Sequence, residues 1–148
     1  MGITTALCNT FKKELLEGIH TFGTDTFKLA LIKSGESGTY DATTANYSAV
    51  TGNSDEISNT GNYSAGGANL TNVTVTGGAN ASTAFVHFDN VQFTNATIDA
   101  NGAIIYNSSE GNKAVAIINF GSTQSSDNGT FTVTMPAAGT STAIIRIS

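Results

Sequence analysis

Two hydrophobic periods divide the chain. Near the N-terminus apolar side chains recur at every fourth position, Leu7, Phe11, Leu15 and Ile19, with Leu16 and Phe22 widening the stripe. That spacing predicts one amphipathic helix over residues 4–22. Thr4 or Thr5 can cap its start and Gly18 or Gly23 its end. Lys12, Lys13, Glu14 and Glu17 take the opposite face, where Lys13 and Glu17 form an i, i+4 pair of opposite charge. The stripe has to be buried, either against a sheet of the same chain or against a neighbouring subunit.

From Thr26 the period becomes two. Phe27, Leu29 and Leu31 alternate with Lys28, Ala30 and Ile32, which predicts a strand. Residues 34–68 are rich in Gly, Ser, Thr, Asn and Asp and read as a loop-rich segment with short strands near 47–50 and 56–58. Beyond it, short apolar runs mark strands around Leu70–Val75, 85–88, 91–93, Ile98, 104–106, 115–120, 131–135 and 143–147. Turn signals separate them at Gly77-Gly78, Asn101-Gly102, Glu110-Gly111-Asn112, Asp127-Asn128-Gly129 and between Pro136 and Gly139. A type I′ turn at Asn101-Gly102 would pair Ile98 with Ile105 and Thr97 with Tyr106; a three-residue turn with Gly102 left-handed would shift that register. The continuous runs at 114–118 and 143–145 imply burial on both faces. The pattern predicts a single, mainly β domain over 1–148, a two-sheet β-sandwich of jelly-roll type with one N-terminal helix.

Composition strengthens the β reading. The chain has 23 Thr, 15 Asn and 16 Gly but one Pro, and only 11% of it is charged against roughly 25% in ordinary domains. A net charge of −5, with four of the six basic residues at Lys12, Lys13, Lys28 and Lys33, argues against nucleic acid as a partner. The remaining surface is coated with hydroxyls and amides, which can pack against protein without desolvating many charges. No run approaches membrane-spanning length, and no basic and apolar leader opens the chain.

Candidate chemistry is sparse. His20 and His87 stand 67 positions apart without a second His or Cys near either, so no metal or cofactor site is expected. His87 alternates with Val86 and Phe88 and is expected to face solvent or a partner. Cys8 is alone and is expected to be a small thiol on the helix. There is no nucleophile elbow and no phosphate-binding glycine loop, and no catalytic residues are assigned. The candidate functional residues are instead apolar ones able to serve as core or as contact. These are Leu7, Phe11, Leu15 and Ile19 on the helix, and Phe85 with His87 on the 85–88 strand.

Several segments in order carry a resemblance. They are Asp25-Thr26-Phe27-Lys28-Leu29-Ala30-Leu31, Asp55-Glu56-Ile57-Ser58, Thr60-Gly61-Asn62-Tyr63-Ser64-Ala65-Gly66-Gly67, Gly102-Ala103-Ile104-Ile105-Tyr106-Asn107, Asn112-Lys113-Ala114-Val115-Ala116 and Phe120-Gly121. Together with the closing Phe131-Thr132-Val133 and Ala143-Ile144-Ile145-Arg146-Ile147, they resemble a family of small structural proteins of tailed bacteriophage virions. The resemblance implies a structural protein of a bacteriophage particle, not an enzyme, made in the host cytoplasm and carried on the virion, and it leaves head or tail open. With the charge-poor β body and the helix stripe, a capsid decoration (cement) protein is the first expectation. It would self-associate as a trimer and bind the major capsid protein over subunit junctions. A tail, adaptor or fibre-associated role is the alternative, and a carbohydrate-binding adhesion module a more distant one. Relatives often carry Arg before the glycine at position 102 and Trp at position 93; this chain has Asn101 and Phe93.

Overall fold

The computed structural model describes residues 2–148 and is mainly β, with 46% of the chain in strands and 11% helical. In chain order the elements begin β1 (Gly2–Ile3), β2 (Ala6–Leu7), α1 (Asn9–Leu16), β3 (Phe27–Lys33), β4 (Thr39–Tyr40) and α2 (Ser48–Gly52). They continue with β5 (Ala68–Asn69), β6 (Thr74–Thr76), β7 (Ala84–His87), β8 (Val91–Asn107), a 3-10 turn at Ser108–Glu110, β9 (Lys113–Val133) and β10 (Ile145–Ile147). Three sheets result: an antiparallel five-stranded sheet in the order β2-β9-β8-β3-β5, an antiparallel three-stranded sheet β10-β7-β6, and the parallel pair β1-β4.

The centre is the β8–β9 hairpin, whose strands carry 17 and 21 residues where about 5–6 is usual. It reverses where the Glu110-Gly111-Asn112 signal predicts, with Gly111 and Asn112 left-handed at φ 64° and 63°. Asn107 closes the turn by accepting from Ser109 N. Next to this turn residues 114–117 are all buried, as the continuous run at 114–118 implies, with Ile118 half-buried, and residues 102–107 of β8 are buried beside them. In the run at 143–145, Ala143 and Ile145 are buried and Ile144 is half-buried. Farther out, residues 91–100 alternate buried and exposed, apart from the half-buried Thr94 and the out-of-phase Asn95, and β9 becomes a largely exposed strand over 119–130.

The Asn101-Gly102 turn is not formed. Ile32 pairs with Gly102 and Lys33 with Ala100, which leaves Asn101 outside the ladder to β3; on the other side Ala100 faces Gln124 while Gly102 faces Asn119. Asn101 is a bulge inside one continuous strand. Ile98 consequently pairs with Ser126, and Ile105 lies between Leu29 and Ala116. Gly102 is small because β9 comes close: a Cβ there would collide with the Ile118 carbonyl and lie 2.9 Å from Ile3 Cδ1. The Asp127-Asn128-Gly129 signal has the same outcome. Ala96 faces Gly129 and Ile98 faces Ser126, so β9 holds one extra residue and Asn128 adopts φ 49°.

The helix is shorter than the stripe predicts. Leu7 and Ala6 pair with Ala116 and Ile117 in the sheet, so their backbone is extended and α1 starts after Cys8, which makes no side-chain cap bond. It stops at Gly18, φ 73°, where Gly18 N donates to Leu15 O and Ile19 N to Glu14 O, a Schellman closure. Lys13 and Glu17 form the expected ion pair at 3.0 Å.

The loop-rich segment has a job along the sheet edge. Lys33 N donates to Asp55 O (2.8 Å), Ile57 N to Leu31 O (3.2 Å) and Leu31 N to Tyr63 Oη (3.0 Å). With β5 beside Lys28 and Leu29, these bonds occupy the outer side of β3 and close an edge that would otherwise template further pairing. Residues 48–52, anticipated in part as a strand, form α2 instead, and Glu56 makes only an isolated bridge to Ile32.

Candidate interaction surface

Two polar clusters gather titratable side chains, and in both each group is engaged. Asp55 is fully buried and accepts from Ser37 N (3.0 Å), Gly38 N (2.9 Å) and Tyr40 Oη (2.6 Å), with Lys33 Nζ at 3.7 Å. Burial opposes its charge, but the bonds from Tyr40, Ser37 and Gly38, with Lys33, outweigh that and hold the carboxyl below its ordinary range. The adjacent Glu56 accepts from Tyr47 Oη, from Tyr63 Oη (2.8 Å) and from Gly66 N (2.6 Å). Tyr47 stacks on Tyr106 at 4.3 Å, and Tyr106 Oη donates to Gly66 O (2.6 Å). The Asp55-Glu56 dipeptide thus staples the loop-rich segment to the sheet through tyrosines.

Burial, aided by the neighbouring carboxylates, raises all four phenols, Tyr40 and Tyr106 to about 12 and Tyr47 and Tyr63 higher still. A phenol raised in the folded state stabilises the fold fully below the ordinary value of 10, and that contribution fades as the pH climbs through the folded value. In a chain without Trp, ultraviolet titration should therefore show almost no tyrosinate at pH 10. Above it, the four should ionise together with loss of the folded circular dichroism signal. A tyrosine titrating normally in the folded protein would contradict this.

The second cluster surrounds His20, which is 5% exposed. Asn107 Nδ2 donates to its Nδ1 (3.0 Å) and to Asp25 Oδ2 (2.8 Å), which leaves Nε2–H to donate to Glu14 Oε1 (3.2 Å). The ring packs on Phe11 and Phe27 at 4.9 and 6.3 Å. His20 is a satisfied core group that ties the segment after α1 to the end of β8. Cys8 is buried, and burial pushes its thiol up to about 12, so it stays protonated and unreactive. Among the described residues, no group of three His, Cys, Asp or Glu is arranged to hold a metal ion.

The apolar surface is organised differently. Leu7, Phe11, Lys12, Leu15 and Leu16 face Ile145, Arg146 and Ile147 of β10 across a groove of about 290 Å³. A second groove, about 130 Å³, lies between Leu15, Phe22, β10 and the strands β6 and β7, and is lined by Val75, Phe85 and Val86. The two share Leu15, Ile145 and Ile147. Among the described residues the exposed large hydrophobics are Leu16 (90%), Val75 (60%) and Ile147 (58%), and each of them borders one or both grooves. Lys12 and Arg146, two of only six basic residues, stand in the lining. One face of an acidic protein is thus apolar with basic groups at its margin.

Of the residues nominated from sequence, Leu7, Phe11 and Leu15 line the larger groove and Phe85 the smaller. Phe11 is its buried floor, 1% exposed, while Leu7, Leu15 and Phe85 are half-buried. Ile19 follows the helix stop and lies outside both linings, as does His87, which pairs with Thr74 in the small sheet. The most exposed members, Leu16, Val75 and Ile147, were not singled out. Leu16 had a signal: one position past Leu15 is 100° around a helix, which puts it on the side of Lys12 and Lys13. Val75 and Ile147 had none, because a strand period does not say which face will be covered.

No family model, no curated protein and no solved structure matches the chain. No helix among the described residues is long and apolar enough to cross a membrane.

Proposed function

We propose that this chain is a structural protein of a bacteriophage virion, a capsid decoration protein that seats the α1–β10 face on a capsid subunit. The observation that carries the proposal is the convergence of Leu16, Val75 and Ile147 on one face of a charge-poor β protein. The resemblance in the Asp25–Leu31 segment and in Gly102-Ala103-Ile104-Ile105-Tyr106-Asn107 supplies the virion context. Leaving these side chains in water costs apolar hydration that a partner would relieve. In this reading the five-stranded and three-stranded sheets are the two layers of a β-sandwich, and copies associate as trimers over capsid junctions. Contact through apolar groups makes attachment only weakly dependent on salt, because screening acts on charges.

Copy number on purified particles tests the proposal. Abundance comparable with that of the major capsid protein on DNA-filled heads is expected, whereas a few copies that fractionate with tails would replace it by the adaptor reading. Substitution locates the contact. Leu16→Asp should change folding stability by no more than about 0.5 kcal/mol, since the side chain is almost fully exposed, yet abolish rebinding to stripped particles. Phe11→Asp should fail to fold, since it puts a charge in the core. Unchanged rebinding of Leu16→Asp would remove this face from the proposal.

A further inference from the structure

We propose that Asn128 is a site of spontaneous, non-enzymatic modification, deamidating in the folded protein while the chemically identical Asn101 is protected. The chain has two Asn-Gly dipeptides, Asn101-Gly102 and Asn128-Gly129. Glycine leaves the following backbone nitrogen unshielded, so that nitrogen can attack Cγ of the asparagine. A C–N bond forms, the carboxamide C–N bond breaks, and ammonia departs carrying the proton released by the attacking nitrogen. Solvent water then opens the succinimide ring at either carbonyl to give aspartate or isoaspartate. One water is consumed, one ammonia is released and one carboxylate is gained, with no oxidant or reductant involved.

Geometry separates the two sites. Asn101 Nδ2 donates to Glu36 Oε2 (2.8 Å) and Asn101 Oδ1 accepts from Thr123 Oγ1 (2.6 Å), so the carboxamide is held at both ends. Gly102 is buried and laddered on both sides, to Ile32 and to Asn119. Cγ of Asn101 can reach the Gly102 nitrogen only if both hydrogen bonds break inside the central strand. Asn128 differs in each respect. It is exposed and occupies the extra position of a bulge, and its carboxamide has no hydrogen-bond partner among the described residues. Asn128 N donates to Thr97 Oγ1 (3.0 Å), and the following Gly129 pairs with Ala96 on one side only. β9 is an edge there, since its other neighbour β2 reaches only Ala116 and Ile117. No side-chain hydrogen bond opposes rotation of the Asn128 carboxamide toward Gly129, and a bulge can take up the additional backbone carbon of isoaspartate. The product adds a carboxylate beside Asp127 and moves the net charge from −5 to −6.

The test is storage of the intact protein at mildly alkaline pH followed by tryptic peptide mapping. Cleavage at Lys113 places the two asparagines in different peptides. The peptide holding Asn128 should gain the mass of one deamidation at least about tenfold faster than the peptide holding Asn101, a ratio set by the two hydrogen bonds that must break. In denaturing urea the two rates should converge, which assigns the difference to the fold, and Gly129→Ala should slow the reaction at 128. Equal rates in the folded protein would overturn the proposal. So would faster reaction at Asn101, or an Asn128 that stays intact while the denatured chain reacts.

Discussion

Asp55→Ala should lower the folding free energy by about 3–5 kcal/mol, the loss expected when one partner of a buried, charged hydrogen-bond set is removed. The substitution leaves Ser37 N, Gly38 N and Tyr40 Oη without their acceptor and takes away the counter-charge of Lys33. Urea denaturation checks the magnitude. Asp55→Asn keeps the volume but offers an NH₂ where an acceptor is needed, so it should recover only part of the loss. The same group contributes to the acid sensitivity of the fold. A carboxyl held below its ordinary value of 3.8 stabilises the protein fully above that pH, and the contribution is lost as the pH falls through the folded value. The wild-type protein should therefore lose stability below pH 3.8, and Asp55→Asn should flatten that acid limb. An unchanged limb would mean that other carboxylates carry the acid sensitivity.

Gly102→Ala is the second large effect, expected at about 3 kcal/mol of destabilisation. At an exposed hairpin tip the same change would cost about 1 kcal/mol, mainly from the left-handed backbone. Here the methyl group is driven into the Ile118 carbonyl and the Ile3 side chain, and either β9 or the N-terminal strand must move. Thermal or urea unfolding distinguishes the two magnitudes. Ile3→Ala should relieve part of the strain in the double variant, while the contact with the Ile118 backbone should remain.

The two Asn-Gly positions, 101–102 and 128–129, show what could be read from sequence. Asn-Gly and Asp-Asn-Gly mark backbone that leaves regular pairing, and in both places the backbone does so. The choice between reversing the chain and adding a bulge does not lie in the dipeptide. At Asn101 it is made by β3, which runs past the site from Phe27 to Lys33 and needs residues 100–107 as one strand. At Glu110-Gly111-Asn112 no strand runs past, and the chain turns. The helix follows the same logic: its stripe is real at Phe11 and Leu15, but Leu7 is claimed by β9 and Ile19 falls beyond the glycine stop. Strand β3 was legible from its period of two, and the buried run in β9 from an unbroken apolar stretch, the composition that burial on both faces leaves. The grooves beside Leu16, Val75 and Ile147 were not, because they depend on which of several apolar faces the tertiary packing leaves uncovered.

The position of the central hairpin also determines when the protein can fold during synthesis. β2 and β3 are made early, but their partners come much later. Ala6 and Leu7 pair with Ile117 and Ala116 of β9, and Phe27–Lys33 pairs with residues 107–100 of β8, so neither ladder can form until the second half of the chain has been translated. A nascent chain that ends before Lys113 has α1 and β3 but lacks the strand between β2 and β8. The N-terminal half must therefore wait, its apolar strands unpaired, until the turn at Ser108–Glu110 has formed and β9 has left the ribosome.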